Sequence, residues 1–379
     1  MKTVTILLPC LNEAETIRTV VLKSFSSLSY SGLKGEVLVA DNGSKDGSQA
    51  IALSVGARVL NVTKVGYGAA LQAGIQESKS DYIIMGDADD SYALDDISEF
   101  LKCLDSGFEL VIGNRFKGGI KPGAMPFLHR YLGNPVLSFI GRLIFKVKIK
   151  DFHCGLRAFR RESILALNLK ATGMEFASEM IVKASLNNLR ITEVPTVLSP
   201  DGRSRKPHLK TWSDGWRHLI FLLTASPRWL FMYPGFFLVI GGLGGVFLTS
   251  SGPFNLGTLQ IDLNSFYISI GLVLVGSQTI LFGILARISA SNFGILPNTK
   301  NLNMFMGIFT LERGILSGIG FIIVSVFALT QLLSHWDGNS LGGIDGEFAL
   351  RLSGIVVLTS SLGFQLLFAS FFASLLKTK

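Results

Sequence analysis

The chain has 379 residues, 48% of them hydrophobic, with a mean hydropathy of +0.45, which is too apolar for an ordinary soluble protein. Its formal net charge is +8, but the basic residues cluster beside apolar segments. That pattern favours an anionic membrane surface and phosphorylated ligands over nucleic acid. Three scattered cysteines, Cys10, Cys103 and Cys154, form no C-x-x-C pair, so zinc and thiol redox chemistry are not indicated and a reducing compartment fits.

The apolar excess begins after Trp229. Before it, charges alternate with short apolar runs, so the sequence predicts a soluble-type domain over 1–229 and a membrane domain over 230–379. The apolar run at 4–8 is too short for a secretory signal and stops at Pro9, so it reads as a first strand. Short, β-branched runs at 3–8, 36–40, 58–62, 81–85 and 109–113 alternate with helical spacing at 13–28, 46–54, 68–79 and 95–104. Alternating strand and helix predicts an α/β fold with a mainly parallel, Rossmann-like sheet.

In such sheets ligands sit beyond the carboxyl ends of the strands, and four polar clusters fall there. They are Pro9-Cys10-Leu11-Asn12-Glu13, Asp41-Asn42-Gly43-Ser44, Gly66-Tyr67-Gly68 and Asp87-Ala88-Asp89-Asp90. Asn12 and Glu13 can cap the following helix, and Asn42-Gly43-Ser44 suits a turn. Asp41, ionised at a strand end, can instead accept hydrogen bonds from a nucleobase or ribose. Gly66-x-Gly68 lacks a third glycine and follows the third strand, which argues against a dinucleotide-binding dehydrogenase. Asp87 and Asp89 are two residues apart and can converge on one point, an all-oxygen site suited to Mg²⁺ or Mn²⁺ shared with substrate phosphates. Arg203 and Arg205, in a basic loop before the membrane domain, are candidates to grip a phosphate, and Arg115, His153 and Arg157 can extend that anion-binding wall.

Taken together, Pro9-x-x-Asn12-Glu13, Asp41-Asn42-Gly43-Ser44-x-Asp46-Gly47, Gly66-x-Gly68 and Asp87-x-Asp89 resemble family 2 glycosyltransferases with the GT-A fold. Gly113-Asn114-Arg115-Phe116 and the stretch from Asp151 to Phe159 resemble the branch that makes polyprenyl-phosphate sugars, such as dolichyl-phosphate mannose synthases. The resemblance implies a nucleotide-sugar donor of the UDP-glucose or GDP-mannose type and a polyprenyl phosphate acceptor. It further implies an inverting transfer dependent on Mg²⁺ or Mn²⁺. Pro9, Asn12, Glu13, Asp41, Gly43, Gly66, Gly68 and Asp87 would then bind the donor, and Asp89, Asp90 and Arg115 would be catalytic. Where some relatives carry a Gln two residues after the second Asp, this chain has Ser91.

Two segments mix apolar and basic residues in a way that suits helices lying in a membrane interface, about 123–150 and 207–229. Four apolar stretches follow at 230–249, 266–286, 315–334 and 352–376, each of about the 20 residues that a span requires. The connection at 250–265 has no Lys or Arg, whereas 287–314 contains Arg287, Lys300 and Arg313, and the tail contains Lys377 and Lys379. This bias predicts a multi-pass plasma (inner) membrane protein with its catalytic domain and C-terminus in the cytoplasm. A homo-oligomer formed through the spans is compatible with the sequence. A processive polysaccharide synthase is disfavoured because Ala225 precedes Arg228-Trp229 where a Gln would be needed. A non-catalytic scaffold or lipid-flipping partner is disfavoured by the intact Asp41 and Asp87-x-Asp89.

Overall fold

The computed structural model describes residues 2–204, 211–250, 252–256, 259–297, 307, 310–338 and 346–377. Two compact units divide the chain, Met1–Leu222 and Leu223–Lys379.

The first unit is built on seven strands: β1 (Thr3–Cys10), β2 (Lys34–Asp41), β3 (Arg58–Asn61), β4 (Tyr82–Met85), β5 (Leu110–Asn114), β6 (Arg157–Arg160) and β7 (Ile191–Pro195). They lie in the order β3-β2-β1-β4-β6-β5-β7. Every pairing is parallel except those of β6, which runs antiparallel to both β4 and β5. Helices α1 (Ile17–Ser31), α2 (Ser48–Ser54), α3 (Tyr67–Glu77) and α4 (Ser98–Asp105) connect the first five strands. Because helices cover both faces, β4 and β5 are buried along their whole length, as expected for strands of a parallel sheet. From β1 the chain winds outward through β2 and β3, then returns to place β4 on the other side of β1. The switch point between β1 and β4 is where ligand crevices open in such sheets. Pro9 pairs with Ala40 of β2 but lies beyond the β1–β4 ladder, which ends at Leu7, so its missing N–H costs no bond there.

The sequence reading stops short of β6, α7 (Arg161–Ala166), α8 (Phe176–Leu186) and β7, and β6 is the consequential omission. An antiparallel strand begins where its parallel neighbours end. Arg157 is therefore opposite Met85, and the segment leading into β6 arrives at the carboxyl rim beside the Asp87 loop. Helix α1 begins at Ile17, later than expected, and the preceding Thr16 makes no side-chain cap bond. Between β5 and β6 stand a short helix α5 (Arg115–Gly118) and an amphipathic pair, a π-turn at His129–Gly133 running into α6 (Asn134–Phe145). Helix α9 (Thr211–Thr224) follows β7.

Gly66 and Gly68 have a packing reason. A Cβ on Gly66 would lie 2.2 Å from the Thr172 carbonyl oxygen, and one on Gly68 would lie 2.4 Å from that of Ala171. The 171–173 loop thus rests directly on the start of α3.

The second unit contains α10 (Tyr233–Thr249), entered through a π-turn at Arg228–Met232, and α11 (Leu263–Asn292), α12 (Leu311–Gly338) and α13 (Gly346–Lys377). A small antiparallel hairpin, β8 (Phe254–Leu256) with β9 (Leu259–Ile261), separates α10 from α11. The four spans of 22, 30, 24 and 32 residues all exceed the length needed to cross a hydrocarbon core. Phe266, Ile270 and Val273 of α11 pack with Leu358 of α13, and Ser277 donates to Gln365 Oε1 at 2.9 Å.

Substituting Gly68→Ala forces the 171–173 loop away from α3 and is expected to destabilise the first unit by roughly 1–3 kcal/mol, read as a lowered thermal unfolding midpoint.

Candidate active site

The rim is laced by side chains that bond to backbone. At the end of β1, Asn12 adopts a left-handed backbone (φ 57°). Its N–H donates to Ser44 Oγ and its Oδ1 accepts from Lys45 N, each at 2.8 Å. Glu13 N donates to Ser48 Oγ at 2.8 Å. Asp41, buried at the end of β2, accepts through Oδ2 from Gly43 N, Ser44 N and the Gln49 amide. Its Oδ1 is buried without a hydrogen-bond partner. Asn42 bridges to the third cluster, donating to the Val62 and Lys64 carbonyls and accepting from Gly66 N at 2.7 Å. Short polar residues after each strand therefore weld three loops into one wall.

The Asp87–Asp90 loop is held at every residue. Tyr67 donates to Asp87 Oδ1 at 2.9 Å. Thr16 donates to the Ala88 carbonyl at 2.7 Å, and Gly202 N donates to the Asp89 carbonyl at 2.9 Å. Lys23 reaches both Asp90 oxygens at 2.7 and 3.0 Å. Asp90, expected to be catalytic, has a left-handed backbone (φ 61°) that turns its carboxylate onto Lys23 of α1. It is a fastening of the loop and does not line the cleft.

Burial, together with the neighbouring Asp89 carboxylate, pushes Asp87 up to about 7. Gly155 backs this carboxylate so closely that a Cβ there would stand 2.5 Å from Asp87 Oδ2. Two half-buried carboxylates with only oxygen donors fit a hard divalent cation. Among the described residues no cluster of three or more His, Cys, Asp or Glu side chains could hold a metal alone. Asp87 and Asp89 would therefore share the ion with water and substrate oxygens, the usual arrangement for magnesium.

Cations face these carboxylates. Arg115 forms a buried bidentate pair with Asp151, Nε to Oδ2 at 2.8 Å and Nη2 to Oδ1 at 2.7 Å. Arg203 contacts Asp89 Oδ2 at 2.6 Å, Glu13 Oε1 at 2.9 Å and Asp201 Oδ2 at 2.9 Å. Arg157, expected in the same wall, is instead fully buried, with its guanidinium caged by the carbonyls of Cys154, Ala177 and Phe152 at 2.7–2.9 Å. Its donors are consumed by backbone acceptors, so its role is to brace the segment that carries His153. Arg205 lies outside the described residues.

Asp87, Asp89, Arg115, His153 and Arg203 all line one cleft of about 750 Å³, together with Ser91. Its other wall is apolar and includes Leu128, Leu132, Val136, Trp212 and Trp216. Asn12, Glu13 and Arg203 line a smaller cavity of about 250 Å³ beside it, whereas Pro9, Asp41, Gly43, Gly66 and Gly68 shape the loops behind. Several lining or supporting residues escaped the sequence reading: Tyr67, Tyr92, His129, Asp151 as the partner of Arg115, and His218. Tyr67 and Asp151 stood within the motifs quoted above. Tyr92, which accepts from Gly155 N at 2.9 Å, and His218 carried no local signal.

Residues 5–167 match the family model for Glycosyl transferase family 2, and residues 284–377 match the Glycosyltransferase family 2 C-terminal transmembrane region. The low-salt glycan biosynthesis hexosyltransferase Agl6 of Haloferax volcanii is 32% identical over 377 residues, 97% of this chain and 88% of that protein. This chain is a family 2 glycosyltransferase. AglJ of the same organism is 32% identical over 295 residues, 76% of this chain and 94% of its own. The dolichyl-phosphate hexose transferase of that organism is 29% identical over 163 residues, 43% of this chain and 69% of the relative. Among solved structures, Mycobacterium tuberculosis glucosyl-3-phosphoglycerate synthase, in complex with Mn²⁺, UDP and glucosyl-3-phosphoglycerate, is 23% identical with a TM-score of 0.47. That match covers 59% of this chain and 79% of the synthase. In this glycosyltransferase the family 2 match falls within the Met1–Leu222 unit, and the C-terminal transmembrane match falls within the helical unit that follows.

A carboxyl group raised on folding opposes stability as pH climbs from its unfolded value to its folded one. Asp87→Asn removes that penalty and retains an acceptor for Tyr67. The metal-free variant is expected to melt above the parent protein, by a margin that widens from about pH 4 to about pH 7 and then levels. Differential scanning fluorimetry with a chelator across pH checks this.

Proposed function

We propose that this glycosyltransferase moves a hexose from a nucleotide sugar to the phosphate of a polyprenyl lipid, with inversion at the anomeric carbon. The observation that carries this reading is the two-faced cleft. Its lining combines Asp87, Asp89, Arg115 and Arg203 with leucines, a valine and two tryptophans. A charged donor and a lipid-borne acceptor need those two surfaces side by side. The dolichyl-phosphate hexose transferase among the relatives supports the same acceptor class.

As the glycosidic bond breaks, negative charge grows on the departing nucleoside diphosphate. Arg115 and Arg203 place fixed positive charge along that side of the cleft, where preorganised charge is most effective. A divalent ion held by Asp87 and Asp89 would supply Lewis-acid stabilisation of the same leaving group. Asp41, whose buried Oδ1 has no partner, is the candidate at the end of β2 to accept from the nucleobase or ribose. The acceptor phosphate, with a second pKa near ~6, is largely dianionic at neutral pH. It requires orientation and screening more than deprotonation, so the tie between Asp90 and Lys23 leaves the transfer without a missing base.

Membrane attachment serves the acceptor, whose polyprenyl chain stays in the bilayer. Exposed Phe127, Tyr131, Phe139 and Leu143 around α6, with Arg130 and Arg142 among them, suit an interfacial helix, as do Trp212 and Trp216 of α9. The Lys and Arg distribution in the second unit favours a cytoplasmic catalytic domain in the plasma (inner) membrane.

The test is purified protein with Mg²⁺ or Mn²⁺, a polyprenyl phosphate and a panel of UDP- and GDP-sugars, with mass spectrometry for a glycosylated lipid. Formation of one polyprenyl-phosphate hexose is expected. Chelation should abolish it, restored ion should recover it, and Asp89→Asn should lower the rate at least ~100-fold. Failure of every donor with folded protein would sink the reading.

A further inference from the structure

His153 is a cleft side chain that the chemistry above leaves unused. It stands on the segment between α6 and β6 and lines the cleft, yet both its ring nitrogens are shut off from solvent without a hydrogen-bond partner. Leaving such groups unpaired is unfavourable, and a bound ligand could satisfy them. The ring packs edge-on against His218, with centroids 4.5 Å apart. His218 is itself fixed through Nδ1 to Ser178 Oγ at 2.9 Å. The second torsion of a histidine is soft, so the ring can turn against this backing while its side chain lines the cleft.

We propose that His153 reads a hydroxyl of the transferred hexose and so helps set which sugar is accepted. The inference rests on the donor reading given under Proposed function. It follows from matching partners. A neutral imidazole carries one donor and one acceptor, and a sugar hydroxyl needs both. A phosphate dianion offers acceptors only and is already met by Arg115 and Arg203. Burial, followed by the adjacent His218 and by Arg115 and Arg157, holds His153 well below the ordinary histidine range, and burial brings His218 down to about 4. Both rings are neutral at physiological pH. Position agrees: a Cβ on Gly155, two residues on, would stand 2.5 Å from Asp87 Oδ2, so the 152–155 segment borders the carboxylate assigned to the donor's diphosphate under Proposed function.

The full chain in detergent with Mn²⁺ is titrated calorimetrically with UDP-glucose, GDP-mannose, UDP and GDP. His153→Phe should weaken the bound nucleotide sugar about 10-fold and leave the matching nucleoside diphosphate within about twofold. His153→Gln, which keeps a donor and an acceptor, should recover most of the affinity. With donors lacking single hydroxyls, the penalty of His153→Phe should vanish for one deoxy sugar and persist for the others. Equal weakening of sugar nucleotide and diphosphate, or an effect confined to the KM for polyprenyl phosphate, overturns the assignment. Wild-type protein that binds no sugar nucleotide overturns the donor reading itself, whereas normal transfer with an unaffected His153→Phe overturns this inference alone.

Discussion

Two like charges, Asp87 and Asp89, set against each other at the end of a fully buried strand, are the constraint on which the rest of the first unit depends. Repulsion and burial both disfavour ionisation of Asp87, and an unsupported loop would swing its carboxylates apart into water. Four neighbours prevent that. Tyr67, Thr16, Lys23 and Gly202 come from three helices or loops remote in sequence, and each fixes one residue of the loop. Under the proposed function, that electrostatic cost would favour a cation, because the loop already holds both carboxylates in place. Arg203 already answers part of that demand through its contact with Asp89.

The antiparallel strand β6 is the second determinant. It reverses direction within an otherwise parallel sheet, so the residues before it reach the carboxyl rim. Asp151, His153 and Gly155 enter the site by this route. Asp151 then orients Arg115 across the cleft, and Gly155 closes against Asp87. The carbonyl cage around Arg157 secures the turn that makes this possible. Breaking a buried, fully hydrogen-bonded cation of this kind is among the more destabilising changes available to a fold.

Combining such a site with apolar spans places reaction and acceptor in one chain. Under the proposed function, the cleft needs apolar side chains to accept a lipid-borne substrate and charged ones to hold a nucleotide. Helices α6 and α9 provide the first because their exposed faces are apolar and aromatic, and the strand-end loops provide the second.

Periodicity and strand-end polarity alone determined the mainly parallel α/β domain, the four spans, and the rim residues Asp41, Asp87 and Asp89. Those signals are local: a short β-branched run, a twenty-residue apolar stretch, or a carboxylate after a strand carries its meaning within a few positions. Tertiary structure decided what depends on distant partners. Asp90 and Arg157 looked like site residues because charge near a motif is all that a sequence displays, yet one is drawn to Lys23 and the other to three carbonyls. Gly66 and Gly68 entered the sequence reading as donor-binding residues, and the structure adds a packing reason for them, since the 171–173 loop presses on both. His153 and His218 meet only because β6 and α9 converge on one cleft. Side-chain direction and long-range pairing set these outcomes, and neither is written in the spacing of residues along the chain.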